Sequence, residues 1–430
     1  MLARRRAHLD RARLRRLAGA DAAPPDPDVD AVRERAADLL RADTVTAHLR
    51  EGLDLYLDEA SRDADAEIAE RERRSAIPSP SFEGATAVAE DPAERARLRG
   101  AWEAFERAVE PARAARGELR ADAARRAGAR DVAELRERTL AVDLRAVLAE
   151  AERVAIAPLD EAVARAARSA AGTPAATLPR VEGVLRRLGS AMGEDPDARG
   201  PRVLGGSESL WRTEAIAPPG DRATVVLGTR RGLEGFLDAL GAFGAAARAT
   251  AVSRERGADA LAGEHPAWAR AAETLFRRLP LDAGFREFAG IREDPLLEDH
   301  VRLEAAVAPR LAWAAASVAL ERDPPARAAD GFRRASGREP DPSIRAAAWD
   351  RDPLPAAAWL GAMWAVLLEE RLRTRWGRRW SVARGASSWL HDVWLAEPDS
   401  TPDAMAREAQ VGTMTADAVL EACRPPRRLS

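Results

Sequence analysis

The stretch GLEGFLDALGAFGAAARAT, residues 232–250, decides the interpretation of this chain. Its large apolar residues recur at helical spacing and form one continuous face, comprising Leu233, Phe236, Leu237, Leu240 and Phe243 together with Gly244. This pattern predicts a long core helix. Asp238 lies in the middle of that helix beside Ala239 and Ala242. Because a buried charge needs a partner, the stretch raises the question of what this carboxylate does there.

The composition is that of a globular protein without a strong electrostatic bias. The chain has 430 residues, of which 46% are hydrophobic and 32% are charged, and its net charge is −3. All 67 basic residues are arginines, because the sequence contains no lysine. The absence of lysine and asparagine is typical of GC-rich coding, so arginine clusters are not read as binding patches. We therefore expect neither a nucleic-acid nor a membrane partner.

Three sequence features bear on the cellular compartment. A single cysteine excludes an internal disulfide. No apolar run reaches the length of about 20 residues that a membrane span needs. The arginine-rich beginning of the sequence also has no apolar segment typical of a signal peptide. These features predict a cytoplasmic protein.

Helical patterns extend over most of the chain. We predict two charged helices within residues 29–75, a helical pair over 91–128, further helices broken near Pro158 and Gly172, and a short amphipathic helix within 177–193. Between residues 197 and 231, glycine, proline and β-branched residues become frequent. The segments 201–204 and 223–228 are predicted strands of a small sheet ahead of the helix that begins at Gly232. Helices then continue to about Glu421.

A small sheet followed by a long helix within a large helical chain resembles the oligoendopeptidase F and thimet-oligopeptidase superfamily of zinc metallopeptidases, which are gluzincins. The stretches that carry the resemblance are residues 79–105, 200–249, 267–285 and 356–397. The resemblance implies a mainly α fold, with a two-lobed helical body around a central cleft and a small β-element before the central helix. It also divides the chain into N-terminal helices (1–75), a helical lobe (76–196), a metallopeptidase-like lobe (197–423) and a flexible tail (424–430).

In that family the central helix carries His-Glu-x-x-His, whose two histidines bind zinc and whose glutamate activates the attacking water. The resemblance places Asp238 and Ala242 at the two histidine positions and Ala239 at the glutamate position. Gly241 matches a glycine of the motif. Since alanine offers neither a ligand atom nor a titratable proton, these positions imply that the zinc motif is lost.

The remaining site positions also depart from the family pattern. If Leu275 and Phe276 set the register, the third zinc ligand falls at Arg270, and the nearest carboxylate is that of Glu273. A Tyr-Leu-Arg segment that faces the family's cleft is replaced here by Trp359, Leu360 and Gly361. Trp359 and Gly361 are therefore predicted to lie at the cleft, together with Asp238, Arg270 and Glu273.

The sequence thus predicts a catalytically inactive pseudopeptidase without a bound metal, whose scaffold binds a peptide or a protein. We expect Asp238 to pair with an arginine, with Arg270 as first candidate and Arg230 and Arg231 as weaker ones. One alternative is a hydrolase with a metal site rebuilt from Asp238, His265 and Glu273. A second alternative is a purely structural helical protein.

Overall fold

The structure, a computed structural model, describes residues 47–74, 92–157, 178–191, 200–205, 212–218, 222–230, 232–257, 264–292, 295–337 and 343–395, together with the short runs 406–407, 409–411 and 415–417 and the single positions 10, 159, 260 and 419. The regular elements are α1 (Ala47–Arg74), α2 (Pro92–Arg126), α3 (Val132–Leu140), α4 (Leu144–Ala155), α5 (Val181–Ala191), β1 (Arg202–Leu204), β2 (Glu214–Ile216), β3 (Thr224–Val226), α6 (Gly232–Arg256), α7 (Pro266–Arg277), α8 (Ala283–Ala289), α9 (Pro295–Ala319), α10 (Pro325–Ser336), α11 (Ser343–Asp350), α12 (Ala356–Trp376) and α13 (Arg384–Leu395). The fold is mainly α, as predicted. None of the described helices has the length and the apolar run that a membrane crossing requires.

The helix α2 differs from the helical pair that the sequence predicted. It runs unbroken for 35 residues and includes Pro111 in its interior. Pro111 is exposed, whereas Val109 and Ala112 on either side of it are buried. A proline removes one backbone hydrogen bond, and here the burial of a continuous apolar face keeps the helix intact. The predictions for residues 29–46, for Pro158 and Gly172, and for all three domain boundaries fall outside the described residues.

The small sheet precedes α6, as predicted, but it has one more strand than the sequence indicated. The central strand β3 pairs in parallel with β1, with Val203 opposite Val225. It also pairs antiparallel with β2, with Ala215 opposite Val225. The predicted strands at 201–204 and 223–228 correspond to β1 and β3. β2 was not predicted from the sequence.

Two large apolar cores meet along α7 and α12, which gives the body its two lobes. The first core contains most of the buried residues of α6 and α7, including Phe243 and Phe276, together with the second half of α12. The second core contains α4, α9 and the first half of α12, including Trp359. α12 therefore passes from one lobe into the other and holds α7 between the two cores.

A buried ion pair joins α3 to the segment before α12. Asp352 accepts hydrogen bonds from Arg136 Nε and Nη2, both at 2.8 Å, and its side chain is 7% exposed. Burial alone would raise the pKa of Asp352, but the Arg136 and Arg120 guanidinium groups more than offset this effect. The pKa of Asp352 therefore lies below its ordinary value.

We expect Asp352→Asn to lower the free energy of unfolding by about 1–3 kcal/mol at neutral pH, because an amide cannot carry the charge that Arg136 pairs with. Since the pKa of Asp352 is lowered by folding, this stabilisation is present above the ordinary aspartate pKa of about 3.9 and is lost as the pH falls through the folded value. Denaturant unfolding of both proteins over a pH series measures this. A difference that stays constant below about pH 4 would contradict the assignment.

Candidate functional site

The carboxylate of Asp238 is held between two arginines. Asp238 lies in the second turn of α6 and its side chain is 4% exposed. Arg230 Nη1 donates to Oδ2 at 3.0 Å, from the segment between β3 and α6. Arg277 Nη1, at the last residue of α7, lies 2.9 Å from Oδ1. Both carboxylate oxygens are therefore engaged, and the contact ties together the entry to α6, α6 itself and the end of α7.

These three residues belong to a row of alternating charges. Arg230 also pairs with Glu234, one turn before Asp238 on α6. Arg277 lies 3.9 Å from Glu273 Oε1, and Arg270 Nη1 lies 2.7 Å from Glu273 Oε2. The charge row thus contains three arginines and three carboxylates. The three members of the row on α7 are Arg270, Glu273 and Arg277. They share one face of that helix, because they are separated by three and four residues.

Glycines let the helices approach this face of α7 closely. A Cβ atom added at Gly241 of α6 would lie 2.8 Å from Arg277 Cγ and 3.0 Å from Glu273 Cγ. A Cβ atom added at Gly361 of α12 would lie 2.5 Å from Arg270 Cβ and 2.9 Å from both Ala267 O and Ala271 N. The stems of Arg270 and Arg277 therefore pack over glycines, and this packing fixes where their charged groups lie.

The predicted pairing of Asp238 with an arginine is confirmed, but the first candidate was wrong. Arg270 contacts Glu273 rather than Asp238, and its side chain is 56% exposed. The structure instead brings Arg230 and Arg277 to Asp238, and Arg277 was not considered from the sequence. Arg231 lies outside the described residues.

The prediction that Trp359 lines the cleft was wrong. Its side chain is 1% exposed and packs in the second core. Gly361 faces α7 across the contact with Arg270. Residues that are two positions apart on an α-helix point in directions that differ by about 200°. Trp359 therefore points to the opposite side of α12 from Gly361. The segment from Trp359 to Gly361 therefore presents only its glycine to the charge row.

The structure does not assemble the alternative metal site of Asp238, His265 and Glu273. His265 is the N-cap of α7, at the opposite end of that helix from the contact between Arg277 and Asp238. Its Nδ1 accepts a hydrogen bond from Ala267 N at 3.1 Å, and its Nε2 lies 2.9 Å from Leu140 O. The first contact makes Nδ1 the acceptor, so Nε2 carries the proton and donates to Leu140. Neither nitrogen is left for a metal ion.

The residues at the positions that the resemblance assigns to zinc ligands do not fit that ion. Asp238 is neutralised by two guanidinium groups, Ala242 has no ligand atom, and Arg270 brings a positive charge. A divalent cation there would be repelled by three arginines, and the carboxylates of Asp238, Glu234 and Glu273 already pair with those arginines. In the described part of the chain, no three His, Cys, Asp or Glu side chains form a group that could hold a metal.

Another buried arginine lies in the second half of α6, and the sequence analysis did not indicate its role. Arg248 is 1% exposed, pairs with Glu264 and stacks over the Trp268 ring at 5.2 Å from its centroid. Burial lowers the pKa of Arg248 to about 9, so the group remains charged at neutral pH. Together with the pairing of Asp238 and Arg277, this contact shows that α6 and α7 are antiparallel.

Comparisons with known proteins support the fold. No protein-family model matches the chain. No curated protein sequence matches it. Solved structures do resemble it: PZ peptidase A with an inhibitor gives a TM-score of 0.58 at 11% identity, over 91% of this chain and 78% of that one.

Two further solved structures show the same likeness. A provisionally assigned oligoendopeptidase F gives a TM-score of 0.55 at 12% identity, over 92% of this chain and 82% of that one. A carboxypeptidase from Pyrococcus furiosus gives a TM-score of 0.52 at 12% identity, over 87% of this chain and 82% of that one. The chain therefore has the fold of large helical peptidases, which confirms the fold that the resemblance implied.

Proposed function

We propose that this chain is a non-catalytic member of the oligoendopeptidase F-like superfamily, which keeps the peptidase scaffold and binds a peptide or a protein without cleaving it. The observation that carries the proposal is the pair of arginines on Asp238. Arg230 and Arg277 occupy both oxygens of the one carboxylate on the central helix. An ion-paired carboxylate is a poor metal ligand and a poor general base.

The neighbouring positions support the same conclusion. Peptide hydrolysis at a zinc ion needs three protein ligands, an open coordination position and a base for the zinc-bound water. Ala239 and Ala242 offer neither ligand nor base, and the sequence has no Gly-x-Ser-x-Gly elbow that would indicate serine chemistry instead. The charge row links α6 to α7 by ion pairs, at the positions that the resemblance assigns to the family's metal ligands.

The test measures metal content and peptidase activity on one sample of purified, untagged protein. We expect less than about 0.1 equivalents of zinc, because every carboxylate of the charge row already pairs with an arginine. We also expect no cleavage of a mixed peptide substrate after zinc is added. A tightly held equivalent of metal, or cleavage that a chelator abolishes, would overturn the proposal.

The binding half of the proposal has its own measurement. An equimolar mixture of random pentapeptides, titrated calorimetrically into the protein, should give heat that saturates. Peptide binding without cleavage supports the proposed function. The absence of both binding and cleavage would favour the alternative of a purely structural helical protein.

A further inference from the structure

A cavity of about 180 Å³ lies beside the second core, between the end of α4, α9 and α10. Trp313 of α9 and Ala328 and Gly331 of α10 form apolar walls, to which Ile156 adds its side chain just after α4. The cavity is separate from the charge row, which connects α6 and α7. Since an apolar cavity of about 150 Å³ binds benzene, this one has room for a ring of that size with a short substituent.

The walls of this cavity are suited to an aromatic ring. The indole N–H of Trp313 donates to Leu148 O at 2.9 Å, so the Trp313 ring contributes apolar surface to the cavity. Ile156 is 49% exposed, although isoleucine is among the residues that proteins bury most often. An aromatic ligand would cover both side chains and gain a ring contact with Trp313.

Gly331 keeps the cavity open. No described atom lies within 4 Å of the position that a Cβ atom would take there, so close packing does not require a glycine. Gly331 also lies within the regular helix α10, where a glycine is less favourable than alanine. The structure of the free protein therefore gives no reason for a glycine at this position, whereas an empty space that receives a ligand does.

One positive charge at the edge of the cavity is unpaired. Arg322 Nη2 lies 3.4 Å from Glu152 Oε2, and this pair neutralises the first acidic residue of the lining. Arg327 Nε lies 3.2 Å from Asp323 Oδ1, which neutralises the second. Arg334 also lines the cavity and is exposed, and no described residue forms an ion pair or a hydrogen bond with it. Its guanidinium group is therefore available to an anion.

We propose that this cavity binds a small aromatic carboxylate, whose ring packs against Trp313 and whose carboxylate pairs with Arg334. Arg334 follows Gly331 by three residues on the same face of α10, so its charge lies beside the space that the glycine leaves. A planar guanidinium group binds a carboxylate through two parallel hydrogen bonds. This site goes beyond the proposed function and does not depend on it.

Ligand-observed NMR titrations of the full chain compare three compounds. Phenylacetate has the ring and the carboxylate, phenylacetamide has the ring without the charge, and acetate has the charge without the ring. We expect a dissociation constant of about 1 mM or lower for phenylacetate, in the range for a ligand of this size. Phenylacetamide should bind about fivefold more weakly, the effect of losing one exposed ion pair. Acetate should show no measurable binding, because it leaves the apolar walls uncovered.

Two variants on α10 test the location of the site. Gly331→Leu fills the cavity and should abolish binding, whereas Arg334→Gln should reduce the affinity for phenylacetate to that for phenylacetamide. One matched control is Gly183→Leu on α5, where again no described atom lies within 4 Å of the new Cβ. The other is Arg333→Gln, which changes a neighbouring arginine outside the cavity lining. Both controls should bind like the unmodified protein, and thermal unfolding shows whether each variant folds.

Three results would overturn the proposal. They are the absence of phenylacetate binding up to about 10 mM, equal affinities for phenylacetate and phenylacetamide, and binding that Gly331→Leu leaves unchanged. If Gly331→Leu does not fold, Arg334→Gln decides, because a preference for the carboxylate that survives this substitution would exclude the site. None of these results changes the outcome expected for the peptide titrations, so the failure of this proposal and that of the proposed function are distinguishable.

Discussion

Replacing Asp238 with alanine is expected to destabilise the protein by about 3–5 kcal/mol, because it leaves two buried guanidinium groups without their shared partner. The Arg230 side chain is 7% exposed and that of Arg277 is 17% exposed, so water cannot replace the lost carboxylate fully. The free energy of unfolding from denaturant titration measures this loss. If the charge row acts as the tie between α6 and α7, hydrogen exchange of both helices should also accelerate.

A control separates this effect from the general cost of removing an aspartate. Asp122→Ala breaks the exposed pair with Arg125, whose side chains are 54% and 51% exposed, and should cost about 1 kcal/mol or less. A triple variant that combines Asp238→Leu with Arg230→Met and Arg277→Met should be more stable than Asp238→Ala, because it removes the charges together. An Asp238→Ala variant as stable as Asp122→Ala would show that Asp238 is not a buried partner.

Replacing Gly361 with leucine is expected to cost more than about 3 kcal/mol, the upper part of the range for overpacked cores. The new Cβ would lie 2.9 Å from two backbone atoms of α7, Ala267 O and Ala271 N. Backbone atoms cannot rotate away as a side chain can, so α12 and α7 would have to separate along their contact. The melting temperature and the denaturation midpoint measure the loss.

The matched control is Gly331→Leu on α10. Gly331 is also a buried helical glycine, but nothing lies within 4 Å of the position that a Cβ atom would take there. It lines a cavity of about 180 Å³ that can receive the new side chain. We expect this variant to be close to neutral, since leucine has a better helix propensity than glycine by about 1 kcal/mol. Equal losses at the two positions would contradict the close packing of α7 and α12.

Much of the fold could be predicted from the spacing of apolar residues. The face formed by Leu233, Phe236, Leu237, Leu240 and Phe243 indicated α6, and all five are buried in the first core. The strand β2 was missed, because its assignment rests on backbone pairing with β3, which the local sequence does not encode. The continuity of α2 through Pro111 was also invisible locally, since it depends on burial against other elements.

The candidate site could be predicted in its chemistry but not in its register. A buried aspartate on an apolar helix face needs a cation, and the sequence has many arginines to supply one. Which arginine does so depends on how far α7 is shifted along α6. The contacts of Gly241 with Arg277 and of Gly244 with Phe276 fix that shift. They place Arg277 opposite Asp238, whereas Arg270 lies about 10 Å away from Arg277, toward the start of α7.

Because Arg230 and Arg277 both form ion pairs with Asp238, this site is also difficult to change by single mutations. A first step toward a histidine–glutamate metal centre, Asp238→His, would place an imidazole between two arginines before any other ligand exists. Replacing either arginine first would leave Asp238 with half of its compensation. We expect each single substitution to lower the stability of the protein, whereas a working metal centre needs several substitutions at the same time. We therefore expect the ion pairs of Asp238 with Arg230 and Arg277 to persist for as long as the stability of the fold is under selection.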